Sequence, residues 1–491
     1  MDMVSGMMRS QLVIEAAKSI REDYRKSLDG LKASAKERLL PEIHRRSAEK
    51  LLDIARKNRG IYNKAAQFVC SVRGPVPKEY IDVLSVLTDQ APFQPFDQME
   101  TVLTEELKAP VSELFESIER IPIAAASLAQ VHIGRLKDGT KVAVKIQYPG
   151  LQQQMAVDLQ VIETALMMFS SSLPFDMRWL VRDFREYLAR ECDFELEAEN
   201  AKKLAEQFAH NKRIHVPQAI KSHSSKRVLT MEFAEGLMKV NNISALRQAN
   251  LDPFQVASLL NEFSCDMILV HGFVHGDPHS GNVYVRPHPT EGGAELVVLD
   301  HGLYHTLADE VRTKLCKLWV SCVSKSQEEK RRLSEELVGP MYKLLPTFLS
   351  SWFAIGSLTL EEAAEMRSGR YYSRISLKDA TDFLAGMEER KSLLGMFHSS
   401  GYTRSLLQDL AYPEQERIFR CALSAEAGLD RDLFKVMRTG EGTTSTKLWF
   451  AYLYMRVLFS VYEARIRIFV YGSVYWAYRL VAWPVSKVKA S

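Results

Sequence analysis

Apolar residues along this chain change period several times, and each change marks an element. From about Leu31 to Ala109 the spacing is helical, with Leu39, Ile43, Leu51, Leu52 and Ile54 repeating every three to four positions and Pro75, Pro77, Pro92 and Pro95 marking turns. Around Ile118 the pattern tightens. Two β-rich runs, Leu128 to Leu136 and Val142 to Gln147, flank Asp138-Gly139, which predicts an antiparallel hairpin. Helical periodicity returns over Gln152 to about Ser171 and over Asp176 to His210. Val228 to Phe233 reads as a strand. Pro253 to His271 carries Phe254, Val256, Leu259, Leu260, Phe263, Met267 and Ile268 at helix spacing, a short apolar strand ends at Leu299, and Asp309 to Cys322 is helical again.

This order of elements predicts an α+β, protein-kinase-like two-lobe fold. Its boundaries fall at 1–115 for a helical N-terminal extension, 116–235 for a β-containing small lobe, 236–440 for a helical large lobe and 441–491 for an aromatic-rich helical tail. Composition is that of a globular chain of 491 residues, 46% hydrophobic and 25% charged. A net charge of +3 gives no electrostatic reason to expect nucleic acid. Six scattered cysteines without a Cys-x-x-Cys pair argue against a disulfide framework or a zinc site.

Two segments bear on membranes. The uncharged run Leu344 to Leu360 contains Pro346, Gly356, serines and threonines and makes a poor span, so it reads as buried helix and loop. The tail from Leu448 to Trp483 is aromatic and aliphatic but interrupted by Arg456, Glu463, Arg465, Arg467 and Arg479. It fits a helical pair lying on a membrane or packed on the domain better than a span. No long apolar region follows Arg9, Lys18 and Arg21, which argues against a secretory signal; a weak amphipathic targeting segment stays open.

The candidate chemistry lies in a few short stretches. Val274 to Asn282 reads Val-His-Gly-Asp-Pro-His-Ser-Gly-Asn, and Asp300 follows an apolar strand. An acid, an amide five residues on and a second acid after a strand is the set that phosphoryl transfer needs: Asp277 to take or orient a hydroxyl proton, Asn282 to hold a metal, Asp300 to hold the Mg²⁺ that bridges the phosphates of ATP. Upstream, Val142-Ala-Val-Lys145 resembles the strand that fixes a lysine against the α- and β-phosphates. The tight stretch Ala124, Ala125, Ala126 and Ser127 can present amides to phosphate, more stiffly than glycine would. One of Glu191, Asp193 and Glu197 must orient Lys145; Asp193 and Glu197, four apart, share a helix face while Glu191 points elsewhere. Glu232 to Gly236 reads as the hinge, with the backbone of Glu232 and Ala234 meeting adenine. Lys64 and Gln67, three apart, by themselves read as a solvated helix face. His271, His275 and His279 do not make zinc, because Gly276-Asp-Pro breaks the helix such spacing requires.

Lys145, Glu197, Asp277, Asn282 and Asp300 occur in the only order a kinase fold allows. After Asp300 the chain enters another helix almost at once, with no Ala-Pro-Glu and no peptide platform, and His279 stands where protein-serine kinases commonly carry lysine.

These stretches resemble a family. Lys64-Ala-Ala-Gln67, Ala-Ala-Ala-Ser followed by Leu-Ala-Gln-Val-His132, Val-Lys-Ile-Gln-Tyr-Pro149, Glu-Cys-Asp-Phe194, His-Gly-Asp-Pro-His-Ser-Gly-Asn282 and Leu-Asp-His-Gly-Leu-Tyr304 are similar to the ABC1/UbiB/aarF-domain atypical kinases from about Leu51 past Trp319. Trp179-Leu180-Val181 and Asp300 to Tyr304 resemble the aarF-domain-containing kinase 1 branch. The resemblance implies ATP and Mg²⁺ as cofactors, and a mitochondrial, inner-membrane-associated role in coenzyme Q or lipid homeostasis, with quinone or lipid as a partner. It also implies residue roles. Lys64 and Gln67 cap the site with Glu191 and Asp193 supporting them; Lys145 and Glu197 form an ion pair; Asp277 is the catalytic position; Asn282 and Asp300 hold metal. Ala66 stands where the family has glycine, and Ser280 where it usually has proline. Alternatives are a protein Ser/Thr kinase and a nucleotide-binding scaffold.

Overall fold

A computed structural model describes residues 3–71, 76–87, 93–170, 178–324, 327–339 and 391–459, together with residues 342, 345, 349 and 462. It is a mixed α+β structure with mainly antiparallel sheets, in two compact units. The first comprises Met1–Lys203, Val216–Glu235 and Asp300–Leu303; the second comprises Leu204–His215, Gly236–Leu299 and Tyr304–Ser491. The first unit therefore takes in both the helical extension and the small lobe.

In the first unit three helices lead: α1 (Met3–Leu28), α2 (Ala33–Asn58) and α3 (Ile61–Ser71). Each keeps one apolar face. Val13 and Ala17 of α1, Ile54 and Ala55 of α2 and Ile61, Tyr62 and Ala66 of α3 share a core with later helices. After α4 (Lys78–Leu84) and α5 (Phe96–Leu107) comes a short turn, α6 (Val111–Leu114), and then the sheet. Its first strands are β1 (Phe115–Ile118), β2 (Ala124–Ala125), β3 (Ala129–Leu136) and β4 (Lys141–Gln147), ordered β1-β3-β4 with β2 on β3. The Asp138-Gly139 turn works as its residues dictate: Gly139 takes φ +84°, and Asp138 accepts the Thr140 amide at 2.9 Å. Beneath the sheet, Val142, Val144 and Ile146 are buried with Phe115, Met99 and Val228.

Three helices follow β4: α7 (Leu151–Ser170), α8 (Arg178–Glu191) and α9 (Phe194–Phe208). The sequence pattern runs unbroken across Cys192 and Asp193, but the structure breaks there. Asp193 accepts the Leu196 amide at 3.1 Å and so caps α9, which makes an interior turn less favourable than a new start. Strand β5 (Ile214–His215) belongs to the second unit, and β6 (Val228–Glu232) closes the first sheet antiparallel to β4. In the same unit α1 is tied to α7: Arg9 donates to Asp158 at 2.7 Å, and Tyr62 of α3 donates to the same carboxylate at 3.1 Å.

The second unit holds a four-stranded sheet, ordered β5-β10-β9-β7, made with β7 (Met238–Lys239), β9 (Val283–Pro287) and β10 (Ala294–Val298). After α10 (Ile243–Gln248), α11 (Pro253–Asp266) starts with proline in its first turn and Asp252 accepting the Phe254 amide. A π-helical turn, Met267–His271, and Gly272 at φ +61° then deliver the chain to β8 (Phe273–His275). Strand β11 (Tyr304–Thr306) pairs antiparallel with β8, and the Tyr304 and Phe273 rings stack at 4.3 Å. Helices α12 (Asp309–Ser324), α13 (Gln327–Val338), α14 (Lys391–Asp409), α15 (Glu414–Leu429) and α16 (Arg431–Thr439) complete it. In the helix over 444–459, Leu453 and Val457 are buried and Arg456 pairs with Glu426, while Trp449, Tyr452, Met455 and Phe459 face outward. Among the described residues no helix is long and apolar enough to cross a membrane. Most of Leu344 to Leu360, and the tail beyond Tyr462, lie outside the described residues.

Candidate functional site: a lysine ringed by acids and a separate acid-amide loop

Lys145 sits opposite Leu229 of β6 and Val131 of β3, so hydrogen-bonded strands on both sides fix its backbone. Its ammonium donates to both oxygens of Glu197, at 2.8 and 2.9 Å, and lies 3.7 Å from Asp300 Oδ1 and 4.9 Å from the centre of the Phe194 ring. Burial would lower the lysine's pKa, but the charges of Asp300, Glu197 and Glu191 outweigh it and raise the value above the ordinary one. Glu197, 2% exposed, is pushed up by burial; Lys145 pulls it back, and Asp300 and Glu191 push it up again, to about 7. Lys64 takes up Glu191, so Glu197 and Asp300 share the Lys145 ammonium; with both ionised one negative charge is in excess, a setting that welcomes a further cation.

Asp300 follows β10 with φ +56°, a left-handed conformation that aspartate tolerates better than most residues. The Gly302 amide donates to its Oδ1 at 3.3 Å, and the His301 amide donates to Glu197 Oε1 at 3.3 Å.

Lys64 departs from the solvated face expected of its stretch. It is 8% exposed, on the inner side of α3, and its ammonium lies 3.3 Å from Glu191 Oε2. Gln67, one turn on, is half-buried. The acids are arranged otherwise than the helical spacing suggested. Because the helix breaks at Cys192, Glu191 closes α8 and faces Lys64. Asp193 caps α9 through the Leu196 amide and lies 3.6 Å from Lys226, while its carbonyl accepts the Glu197 amide at 3.1 Å.

The Ala124 to Ser127 stretch also differs from an amide cradle. Ala124 and Ala125 pair with Val131 and Gln130, the Ala126 amide donates to Ala129 at 2.8 Å, and the Tyr148 hydroxyl holds the Ala126 carbonyl at 3.0 Å. Neighbouring strand thus engages the Ala126 amide that was to face phosphate. Ser127 is 4% exposed and its Oγ has no hydrogen-bond partner, a buried polar atom available to a ligand oxygen. At the hinge, the Glu232 amide donates to Gln218 at 3.0 Å, the Glu232 side chain is exposed and Ala234 is half-buried.

In the second unit the acid-amide loop is held by its own polar groups. The Asn282 side-chain amide donates to the Asp277 carbonyl at 3.0 Å, which leaves its oxygen as the group able to ligate. The Leu299 amide donates to the Asn282 carbonyl at 2.7 Å, so the loop is registered against the residue preceding Asp300 in the chain. A third group, to which residue order alone assigns no role, joins them here. His279 Nδ1 accepts the Gly281 amide at 2.9 Å, so the proton of a neutral ring sits on Nε2, which lies 3.5 Å from Asp277 Oδ2. Its place two residues after the acid was the available signal.

Donor chemistry is a test of metal fit. Asp300 offers a half-exposed carboxylate and Asn282 an amide oxygen, hard donors that suit Mg²⁺. Among the described residues no group of three or more His, Cys, Asp and Glu is placed to hold a metal by itself. A magnesium ion that keeps water and phosphate ligands needs only one or two protein oxygens.

Comparison with known proteins places this arrangement. The model of the ABC1 atypical kinase-like domain matches residues 86–334. The AarF domain-containing protein kinase 1 of Xenopus laevis is 35% identical, over 79% of this chain and 76% of its own length. The Drosophila melanogaster AarF domain-containing kinase 1 is 38% identical over 62% of this chain and 58% of its own length, and a probable serine/threonine-protein kinase of Dictyostelium discoideum is 35% identical over 75% of this chain and 54% of its own length. Among solved structures, Mycobacterium tuberculosis Rv3197, determined with erythromycin, superposes with a TM-score of 0.50 at 21% identity, covering 77% of this chain and 95% of that one. The lysine on β4, its glutamate on α9 and the acid after β10 lie within a family match that spans half of the chain, and this chain belongs to the ABC1 atypical kinase-like family.

Proposed function

We propose that this chain is an atypical kinase or ATPase that binds ATP with Mg²⁺ and acts in mitochondrial coenzyme Q or lipid homeostasis. The observation that carries the reading is Lys145, held by Glu197 at 2.8 Å with Asp300 at 3.7 Å. An ammonium fixed in this way neutralises phosphate charge without reorganising as the reaction proceeds. Lys145 binds the α- and β-phosphates, Ser127 offers its hydroxyl, and Asp300 takes Mg²⁺, which when bound screens the charge that develops on the transferred phosphoryl group. Asp277 orients the attacking hydroxyl or water, with His279 held against it, and Asn282 offers an amide oxygen to metal. Lys64, paired with Glu191, restrains access to the lysine pocket, as Gln67 on the same helix does. The quinone or lipid role rests on kinship with the family. Against a peptide substrate stands the course of the chain after Asp300, which enters β11 and then α12 at Asp309.

The test is Mg²⁺-dependent phosphate release from ATP by the purified protein, with and without liposomes containing a quinone. Asp300→Asn should lower turnover on the order of a hundredfold or more. Wild-type protein that neither binds nor hydrolyses Mg·ATP would refute the proposal, and full cellular rescue by the Asp277→Ala, Asp300→Asn double variant would show the chain to be a scaffold.

A further inference from the structure

The residue after the metal acid is gripped at both of its backbone polar groups, and both grips come from one helix. The His301 amide donates to Glu197 Oε1 at 3.3 Å, and the His301 carbonyl accepts from Asn200 Nδ2 at 2.9 Å. Glu197 and Asn200 are three residues apart on α9 and so lie on one face. Only the nitrogen of the Asn200 amide can meet a carbonyl; the flipped side chain would set oxygen against oxygen.

Residue 301 needs this hold. His301 is 4% exposed, so an unpaired carbonyl there would carry the cost of a buried unsatisfied acceptor. The preceding Asp300 sits at φ +56°, where a non-glycine residue persists only if its surroundings over-determine it. A peptide free to rotate after Asp300 would let the carboxylate relax away from Lys145. Glu197 holds that peptide through the His301 amide; Asn200 holds the next one, His301–Gly302, through its carbonyl, and the Gly302 amide of the same peptide donates to Asp300 Oδ1 at 3.3 Å.

We infer that Asn200 is a positioning residue for the metal acid: it aims the Asp300 carboxylate, so that α9 orients both Lys145, through Glu197, and the metal-binding oxygen, through Asn200. This rests on the reading of Asp300 as the Mg²⁺ ligand given above. Asn200 touches neither nucleotide nor metal in this role. Its loss therefore acts on the metal-dependent part of nucleotide affinity and leaves the metal-free part in place.

The experiment titrates a fluorescent ATP analogue onto full-length protein in Mg²⁺ and in EDTA, for wild type, Asn200→Asp, Asn200→Ala and Asp300→Asn. Asn200→Asp keeps the side chain's shape and replaces the donor by an oxygen; Asn200→Ala removes the donor and adds no charge, and serves if the aspartate variant does not fold. Loss of such a supporting hydrogen bond typically weakens metal affinity about 10- to 100-fold. The Mg²⁺-induced gain in affinity should fall by that factor in either Asn200 variant, while the EDTA affinity stays within about twofold of wild type. Retention of the full Mg²⁺ gain overturns the proposal, and so does an equal loss in Mg²⁺ and EDTA, which marks Asn200 as merely structural. If Asp300→Asn keeps the Mg²⁺ gain, or wild type has none, the metal-acid reading fails and this inference falls with it; an intact effect of Asp300→Asn beside silent Asn200 variants sinks this inference alone.

Discussion

Removing the ammonium of Lys64 should destabilise the protein and activate it in one step. Lys64 Nζ lies 3.3 Å from Glu191 Oε2, with side chains only 10% and 15% exposed. At an effective dielectric constant of roughly 20 the gross attraction at that distance is about 5 kcal/mol. Taking both charges out of water cancels most of it, so the coupling that survives should be about 1–2 kcal/mol. Lys64→Ala costs more than that, because Glu191 stays behind in a pocket that already holds Asp300 and Glu197; Glu191→Gln in the same background should recover part of the loss. If the pair restrains the site, releasing 1–2 kcal/mol raises the open fraction roughly 5- to 30-fold, and turnover of Mg·ATP at sub-saturating nucleotide should rise with it. Urea unfolding of wild type, both single variants and the double variant gives the coupling, and phosphate release gives the activity. Effects that add to within about 0.3 kcal/mol, or Lys64→Ala turnover that drops as Lys145→Met turnover does, would refute the reasoning.

Glu197 predicts a pH dependence. Its folded-state value is raised from 4.5 to about 7, so the native protein holds that proton longer than the unfolded chain, and the stabilisation present below 4.5 is lost as pH rises through 7. Urea midpoints measured from pH 4.5 to 8 without nucleotide should fall more steeply for wild type than for Glu197→Gln; coincident slopes would remove the carboxylate from the account. In the second unit, a Cβ on Gly428 of α15 would come 2.2 Å from the Leu269 carbonyl oxygen and 3.0 Å from Cys316 Sγ. Gly428→Ala should therefore cost about 1–3 kcal/mol by thermal unfolding, against the usual gain from alanine in a helix, and a variant as stable as wild type would contradict that close approach.

Local chemistry carried much of the fold in the sequence. The Asp138-Gly139 turn, the alternating strand that presents Lys145 and the apolar spacing of α11 depend on neighbours a few residues away, and sequence order alone strung Lys145, Asp277, Asn282 and Asp300 together. Tertiary partners were less legible. Lys64 lies on a stretch that reads as solvated because its partner, Glu191, is far off in the chain. The break at Cys192 is hidden because the apolar rhythm runs through it and the deciding event is one aspartate side chain capping a helix. Ala124 and Ala125 looked like a loop because nothing local reveals that β3 will take their backbone into the sheet. Asn200 escaped notice because its work is done on a carbonyl, which has no letter in a sequence.

The tie of Arg9 to Asp158, with Tyr62 of α3 on the same carboxylate, bears on how the protein can be cut. The family match begins at residue 86, yet α1, α2 and α3 share a core with α7 and α8 and bring Lys64 to Glu191. An expression fragment trimmed to the matched region would strip one wall from that core, leave Leu159, Phe184 and Leu188 facing water and delete the restraining lysine at the same stroke. Any activity measured on such a fragment would mix deregulation with damage, so the smallest faithful fragment starts ahead of Arg9.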